Sequence, residues 1–100
     1  MIREITSTEL EQMLNNPDYI IIDVREEYEV IHGMLPGAIH IPLQKIPDAV
    51  HSLDKSEATY ILVCRAGIRS WDAARFMNER GFSVINFADG MMSWNGEIVV

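Results

Sequence analysis

The chain predicts an α/β fold built on a parallel sheet. Three observations carry that expectation. Short apolar runs rich in β-branched and aromatic residues recur along the chain, helical patterns fall between them, and the apolar runs do not alternate strictly with polar residues. Continuous apolar strands suit a sheet covered on both faces. Strands separated by helices require right-handed crossovers, which places helices on the two sides of such a sheet.

The strongest strand signals are Tyr19 to Ile22, Tyr60 to Cys64 and Ser83 to Phe87, with weaker ones at Ile2 to Ile5 and Ala38 to Ile41. Thr6 followed by Glu9 fits a capping box, and Leu10, Met13 and Leu14 form the apolar face behind it. Glu26 to Ile31 predicts a short helix closed at Gly33, with Glu26, Glu27 and Glu29 forming a solvated acidic face. Pro47 opens a further helix whose inner face carries Val50 and Leu53. Arg69 to Arg80 gives the clearest helix, with Ala73, Ala74 and Met77 on one face and Gly81 just beyond its end. Trp94 and Phe87 read as core residues.

One hundred residues predict one domain spanning 1–100. A chain of this size hides roughly 65% of its extended surface on folding. The composition is 48% hydrophobic and 23% charged, which excludes disordered and collagen-like classes. No apolar run is long enough to span a membrane, and the first residues lack a signal-peptide core. The expectation is a cytoplasmic protein with its one cysteine, Cys64, as a free thiol. A net charge of −7 disfavours nucleic acid as a partner. It also repels small anions, so a site for an anion must supply local positive charge.

Two of the eight basic residues, Arg65 and Arg69, lie within five residues of Cys64. The segment Cys64-Arg65-Ala66-Gly67-Ile68-Arg69-Ser70 runs from a predicted strand into a predicted helix. Sites in parallel sheets form at the carboxyl ends of strands, where Asp23 and Cys64 both fall. A tight loop entering a helix turns successive N–H groups inward, and the helix terminus adds partial positive charge. Gly67 permits backbone angles closed to other residues. With the arginines, these features favour a thiolate over the thiol. A free cysteine titrates at about 8.5, and lowering that by two units needs about 2.7 kcal/mol. Cysteine-loop phosphatases place one more residue between Cys and Arg than the four separating Cys64 from Arg69. The shorter loop suits one extra sulfur atom on Cys64 better than a phosphoryl group.

The same segment resembles the active-site loop of rhodanese-domain sulfurtransferases. Three further motifs follow that family's order: Ile21-Ile22-Asp23-Val24-Arg25-Glu26, Pro36-Gly37-Ala38-Ile39-His40-Ile41-Pro42, and Gly90-Met91-Met92-Ser93-Trp94, the tail of a Gly-Gly-x-x-x-Trp signature. The chain departs from the pattern at Met34, where the family usually has His (His32 stands two places earlier), at His40 in place of Asn, and at Asp89 in place of the first closing glycine. The resemblance implies a three-layer α/β/α fold with a five-stranded parallel sheet. It also implies a thiosulfate sulfurtransferase working through a persulfide on Cys64, with Arg65, Ala66, Gly67, Ile68, Arg69 and Ser70 binding the substrate. The basic residue after the cysteine looks more like thiosulfate-type loops than mercaptopyruvate-type ones. The implied chemistry needs no metal and no organic cofactor. Its partners would be a small sulfur-donor anion and a thiol or protein acceptor.

Asp23 and Arg25 are supporting candidates, with Asp23 pairing either with Arg25 or with loop N–H groups. Arg69 is expected against the loop carbonyls and Arg65 at the pocket mouth. Ser70 either donates to the sulfur or stabilises the first helical turn. Trp71 lies off the buried helix face, free to stack on Arg75 or to face a partner. His32, His40 and His51 lack metal-ligand spacing with one another or with Cys64. The alternative function is a persulfide carrier or interaction module with little activity on small donors.

Overall fold

The structure, a computed structural model, describes residues 2–100. Five strands form one parallel sheet: β1 (Arg3–Ile5), β2 (Tyr19–Asp23), β3 (Ile39–His40), β4 (Thr59–Val63) and β5 (Val84–Phe87). Their spatial order is β1-β5-β4-β2-β3. Every pairing is parallel, as the expected crossovers require. The helices are α1 (Ser7–Met13), α2 (Glu27–Val30), α3 (Ile46–Ala49) and α4 (Ile68–Glu79). Among the described residues no helix is long and apolar enough to cross a membrane.

Most element boundaries fall within a residue or two of expectation. The predicted Ala38–Ile41 strand contracts to two paired residues, because it is an edge strand flanked by Pro36 and Pro42. The helix expected from Pro47 is broken up. Two 3-10 turns, Leu43–Lys45 and Val50–Ser52, bracket a single α-turn at Ile46–Ala49. Thr6 caps α1 as predicted: its hydroxyl accepts from Glu9 N, and the Glu9 carboxylate accepts from Thr6 N at 3.0 Å.

Side chains on a strand alternate between faces, and here the alternation divides the core in two. Ile22, Tyr60, Leu62, Cys64 and Val84 pack with Ala73, Ala74 and Met77 of α4 and with Ile46 and Val50. Ile21, Ile61, Val63, Ile85 and Phe87 point to the other face, against Leu10 of α1, Leu35 and Trp94. Phe87 and Trp94 meet edge to face at 6.1 Å, in the core as expected. Cys64 shares the parity of Tyr60 and Leu62. That parity places the thiol on the α4 side, where the helix begins.

Candidate functional site

Beyond Val63 the chain leaves β4 and turns into α4 through the loop Cys64–Gly67. Gly67 is the N-cap of α4, with a left-handed φ of 86°. A methyl group on Gly67 would overlap the Ala88 carbonyl, and one on Gly90 (φ 75°) would overlap the Arg65 carbonyl. These contacts press the segment after β5 against the outside of the loop. Met91 N donates to Cys64 O at 2.9 Å and Met92 N to Arg65 O at 3.0 Å. With its carbonyls held outward, the loop directs its N–H groups at the sulfur.

Gly67 N donates to Cys64 Sγ at 3.1 Å and Ser70 N at 3.3 Å, while Ser70 Oγ lies 3.2 Å from the sulfur. Ser70 and Cys64 are both buried, at 0% and 1% exposure. Of the two roles open to Ser70 from the sequence, the structure therefore supports the bond to sulfur. Burial works to push the Cys64 thiol up, but hydrogen bonds from the Ser70 hydroxyl and from the Ser70, Ala66 and Gly67 backbone outweigh it. The net result is a thiol held below its ordinary range. Of the causes expected from the sequence, the inward N–H groups act here together with the Ser70 hydroxyl, and the arginine charges are not among the main ones.

The three nearby arginines have different surroundings. Arg25 and Asp23 form a buried pair: Arg25 Nε and Nη2 donate to the carboxylate at 3.0 and 2.9 Å. Arg25 Nη2 also donates to Gly33 O at 2.8 Å, bracing the turn beyond α2. Both partners considered for Asp23 are present, since the Arg25 backbone N–H in the loop also donates to Oδ1 at 3.0 Å. Arg69 corrects its expectation. It grips Glu29 of α2, Nη1 to Oε1 at 2.6 Å and Nη2 to Oε2 at 2.9 Å, and not the loop carbonyls. Glu29 is corrected with it, since only 14% of its side chain is exposed and it leaves the solvated face expected of α2. The Arg69 hydrogen bonds, helped by that of Glu26 N, hold the Glu29 carboxyl at about 2 against the cost of burial. Arg65 is exposed, as expected, and lines an open cavity of about 580 Å³ with Arg25, Tyr28, Glu29, His32, Met91 and Met92. Among the described residues it has no ion-pair partner.

Ala66 and Ile68 are both exposed on the loop, and Ile68 is the first residue of α4. Trp71 is 36% exposed, but the cation–π contact on its helix is made by Arg80, 3.4 Å from the Phe76 ring centre.

Asn86 was missed in the sequence. Buried in β5, it donates through Nδ2 to Gly67 O at 3.1 Å and to Glu4 at 2.8 Å, fastening the loop to the sheet. A polar residue inside the apolar run Val84–Phe87 was its only visible signal. Glu29 was missed as well, because its partner lies 40 residues away.

Two measurements check this account. Replacing Ser70 with Ala removes a donor to the sulfur, so the midpoint of the pH profile for iodoacetamide labelling of Cys64 should move to higher pH. Because folding lowers the Glu29 pKa from 4.5 to about 2, the pair stabilises the fold above pH 4.5 and loses that contribution as pH falls toward 2. The gap in melting temperature between the wild type and Glu29→Gln should therefore be full at pH 6 and shrink steadily through pH 4 and 3.

Comparison with known proteins agrees with this architecture. Residues 6–97 match the Rhodanese-like domain family. A Bacillus subtilis protein, YtwF, provisionally named a sulfurtransferase, is 39% identical over 97 residues, covering 96% of this chain and 93% of its own. A second B. subtilis protein, YrkF, provisionally named a sulfur carrier, is 39% identical over 96% of this chain and 52% of its own. The crystal structure of a rhodanese-like domain protein from Staphylococcus aureus superposes with a TM-score of 0.89 at 32% identity, covering 99% of this chain and 98% of that one. With residues 6–97 matched by that family and the five-stranded parallel sheet in place, the chain belongs to the rhodanese-like domain family.

Proposed function

We propose that the protein is a sulfurtransferase that moves a sulfane sulfur from a donor such as thiosulfate to a nucleophilic acceptor through a persulfide on Cys64. The observation that carries this reading is the ring of donors on Cys64 Sγ, from Gly67 N, Ser70 N and Ser70 Oγ. Such a ring stabilises the thiolate as nucleophile and again as leaving group.

In the first step the Cys64 thiolate attacks the outer sulfur of thiosulfate. A new S–S bond forms, the bond to the sulfonate sulfur breaks, and its electron pair leaves with sulfite. In the second step an acceptor thiolate attacks the outer sulfur of the persulfide, and the Cys64 thiolate departs with the electrons of the S–S bond. No net redox change and no cofactor enter the balance. Cys64 is only 1% exposed, so the reacting sulfur sits on the floor of its loop. Arg65, exposed at the mouth and free of carboxylates, receives the anionic end of the donor. Asp23 and Arg25 act as a brace and stay outside the chemistry.

A second reading is a persulfide carrier that exchanges sulfur with protein partners in the cytoplasm. Its support is the apolar exposure beside the mouth, with Tyr28 70%, Ile68 73% and Met92 64% exposed, together with the likeness to a protein named a sulfur carrier. Turnover with thiosulfate and with a protein persulfide donor separates the two readings.

Intact mass after thiosulfate treatment should show a gain of one sulfur atom on the wild type and none on Cys64→Ser. A sulfur retained by the serine variant would put the nucleophile elsewhere. Arg65→Ala removes one charge-assisted hydrogen bond, about 1.5–3 kcal/mol, so kcat/KM for thiosulfate should fall roughly ten- to a hundredfold. Steady-state curves should place that loss in KM, with kcat little changed.

A further inference from the structure

The cavity next to the Cys64 loop is poorer in positive charge than the three arginines around it suggest: Arg25 and Arg65 are on its wall, and Arg69 is bonded to Glu29 of that wall. Arg25 is cancelled by Asp23 at 2.9 Å and Arg69 by Glu29 at 2.6 Å, which leaves Arg65 alone. Glu29 does more than hold Arg69, because its carboxylate itself lines the cavity with Arg65 and Tyr28. It stays ionised at every pH of interest. Cys64, when ionised for reaction, offsets the one remaining cation, and the protein as a whole carries −7. His32, on the same wall, adds charge only when protonated. A doubly charged inorganic donor therefore enters a site with no net attraction for it, although an uncompensated cation stands one ion pair away.

Resting on the persulfide reading above, we propose that Glu29 is a specificity-determining residue. By holding Arg69 and placing its own charge on the cavity wall, it biases the site away from inorganic dianions. The favoured class is sulfane sulfur carried by donors of lower charge at the reacting end, such as organic thiosulfonates and persulfides of organic thiols. The bias is electrostatic and scales with donor charge, which separates it from a steric effect. The site trades affinity for thiosulfate for a mouth that a thiol-borne sulfur enters without competition from small dianions.

Glu29→Gln tests this while keeping the local fold. The amide oxygen still accepts from Glu26 N, a bond of 2.9 Å in the wild type, and still receives one hydrogen bond from Arg69. The probes are thiosulfate, a dianion, and methanethiosulfonate, a monoanion that offers the same outer sulfur on a sulfonyl group. Cyanide serves as acceptor at pH 8 and fixed ionic strength. The variant should raise kcat/KM for thiosulfate about three- to tenfold, chiefly through KM, and for methanethiosulfonate by about the square root of that factor. Both gains should shrink at high salt. The double variant Glu29→Gln with Arg69→Gln restores the wild-type charge sum and should return the donor ratio toward the wild-type value. A third measurement needs no variant: wild-type kcat/KM for thiosulfate should stay level or rise with ionic strength.

An unchanged donor ratio in Glu29→Gln, a higher thiosulfate KM, or a steep fall of the wild-type rate with salt would overturn the inference while leaving the persulfide reading standing. Failure of both donors to add sulfur to wild-type Cys64, read by intact mass, would remove the persulfide reading and this inference together.

Discussion

The two-residue alternation of β4 is the constraint on which the site depends. β4 is central, paired in parallel with β2 on one side and β5 on the other, so its register has no freedom to slip. Tyr60 and Leu62 must face the α4 side and Ile61 and Val63 the α1 side, or every core side chain on the strand would change faces. Cys64 continues that alternation by one position. The thiol is thereby delivered beneath the first turn of α4, where Ser70 and the loop N–H groups already point. The thiol is placed first by the packing of the strand behind it, and the loop bonds then hold it there.

The loop's shape is then set from outside. Residues 90–92 bind the Cys64 and Arg65 carbonyls, Asn86 holds the Gly67 carbonyl, and Gly90 lets the two backbones approach. Each outward-held carbonyl leaves a peptide N–H turned inward. The sulfur receives its donors without any of them being mobile, which reduces the reorganisation needed when charge moves onto it. The same arrangement accounts for the use of charge. An acidic chain gathers three arginines around the Cys64 loop and pairs two of them, so positive charge braces the walls and Arg65 alone of the three has no ion-pair partner among the described residues.

The departures from the usual family pattern acquire structural roles. Asp89, where glycine is common, accepts from Ser7 N at 2.7 Å and so fastens the segment beyond β5 to the first turn of α1. His40 lies with Nε2 2.8 Å from the Arg25 carbonyl, linking β3 to the end of β2. Met34 pairs with Val99, its N–H donating to Val99 O and its carbonyl accepting from Val99 N, both at 2.8 Å. None of these three residues bonds to the sulfur.

Local patterning made the fold class, the five strands, the capping box of Thr6 and Glu9, and the Cys64 loop legible in the sequence. Each depends on residues a few positions apart, where periodicity and turn chemistry act. The Asp23–Arg25 brace was legible for the same reason, its partners being two residues apart. Tertiary structure alone decided the rest. Glu29 reads as one acid among several on a short helix until α4 brings Arg69 onto it. Asn86 reads as an ordinary strand residue until Gly67 arrives above it. The sequence separates Arg65 at the mouth from Arg69, but it sets Arg69 against the loop carbonyls, whereas its partner is a carboxylate 40 residues away. Pairings of that kind carry no local signal, because their energy exists only after the sheet has brought distant segments into contact.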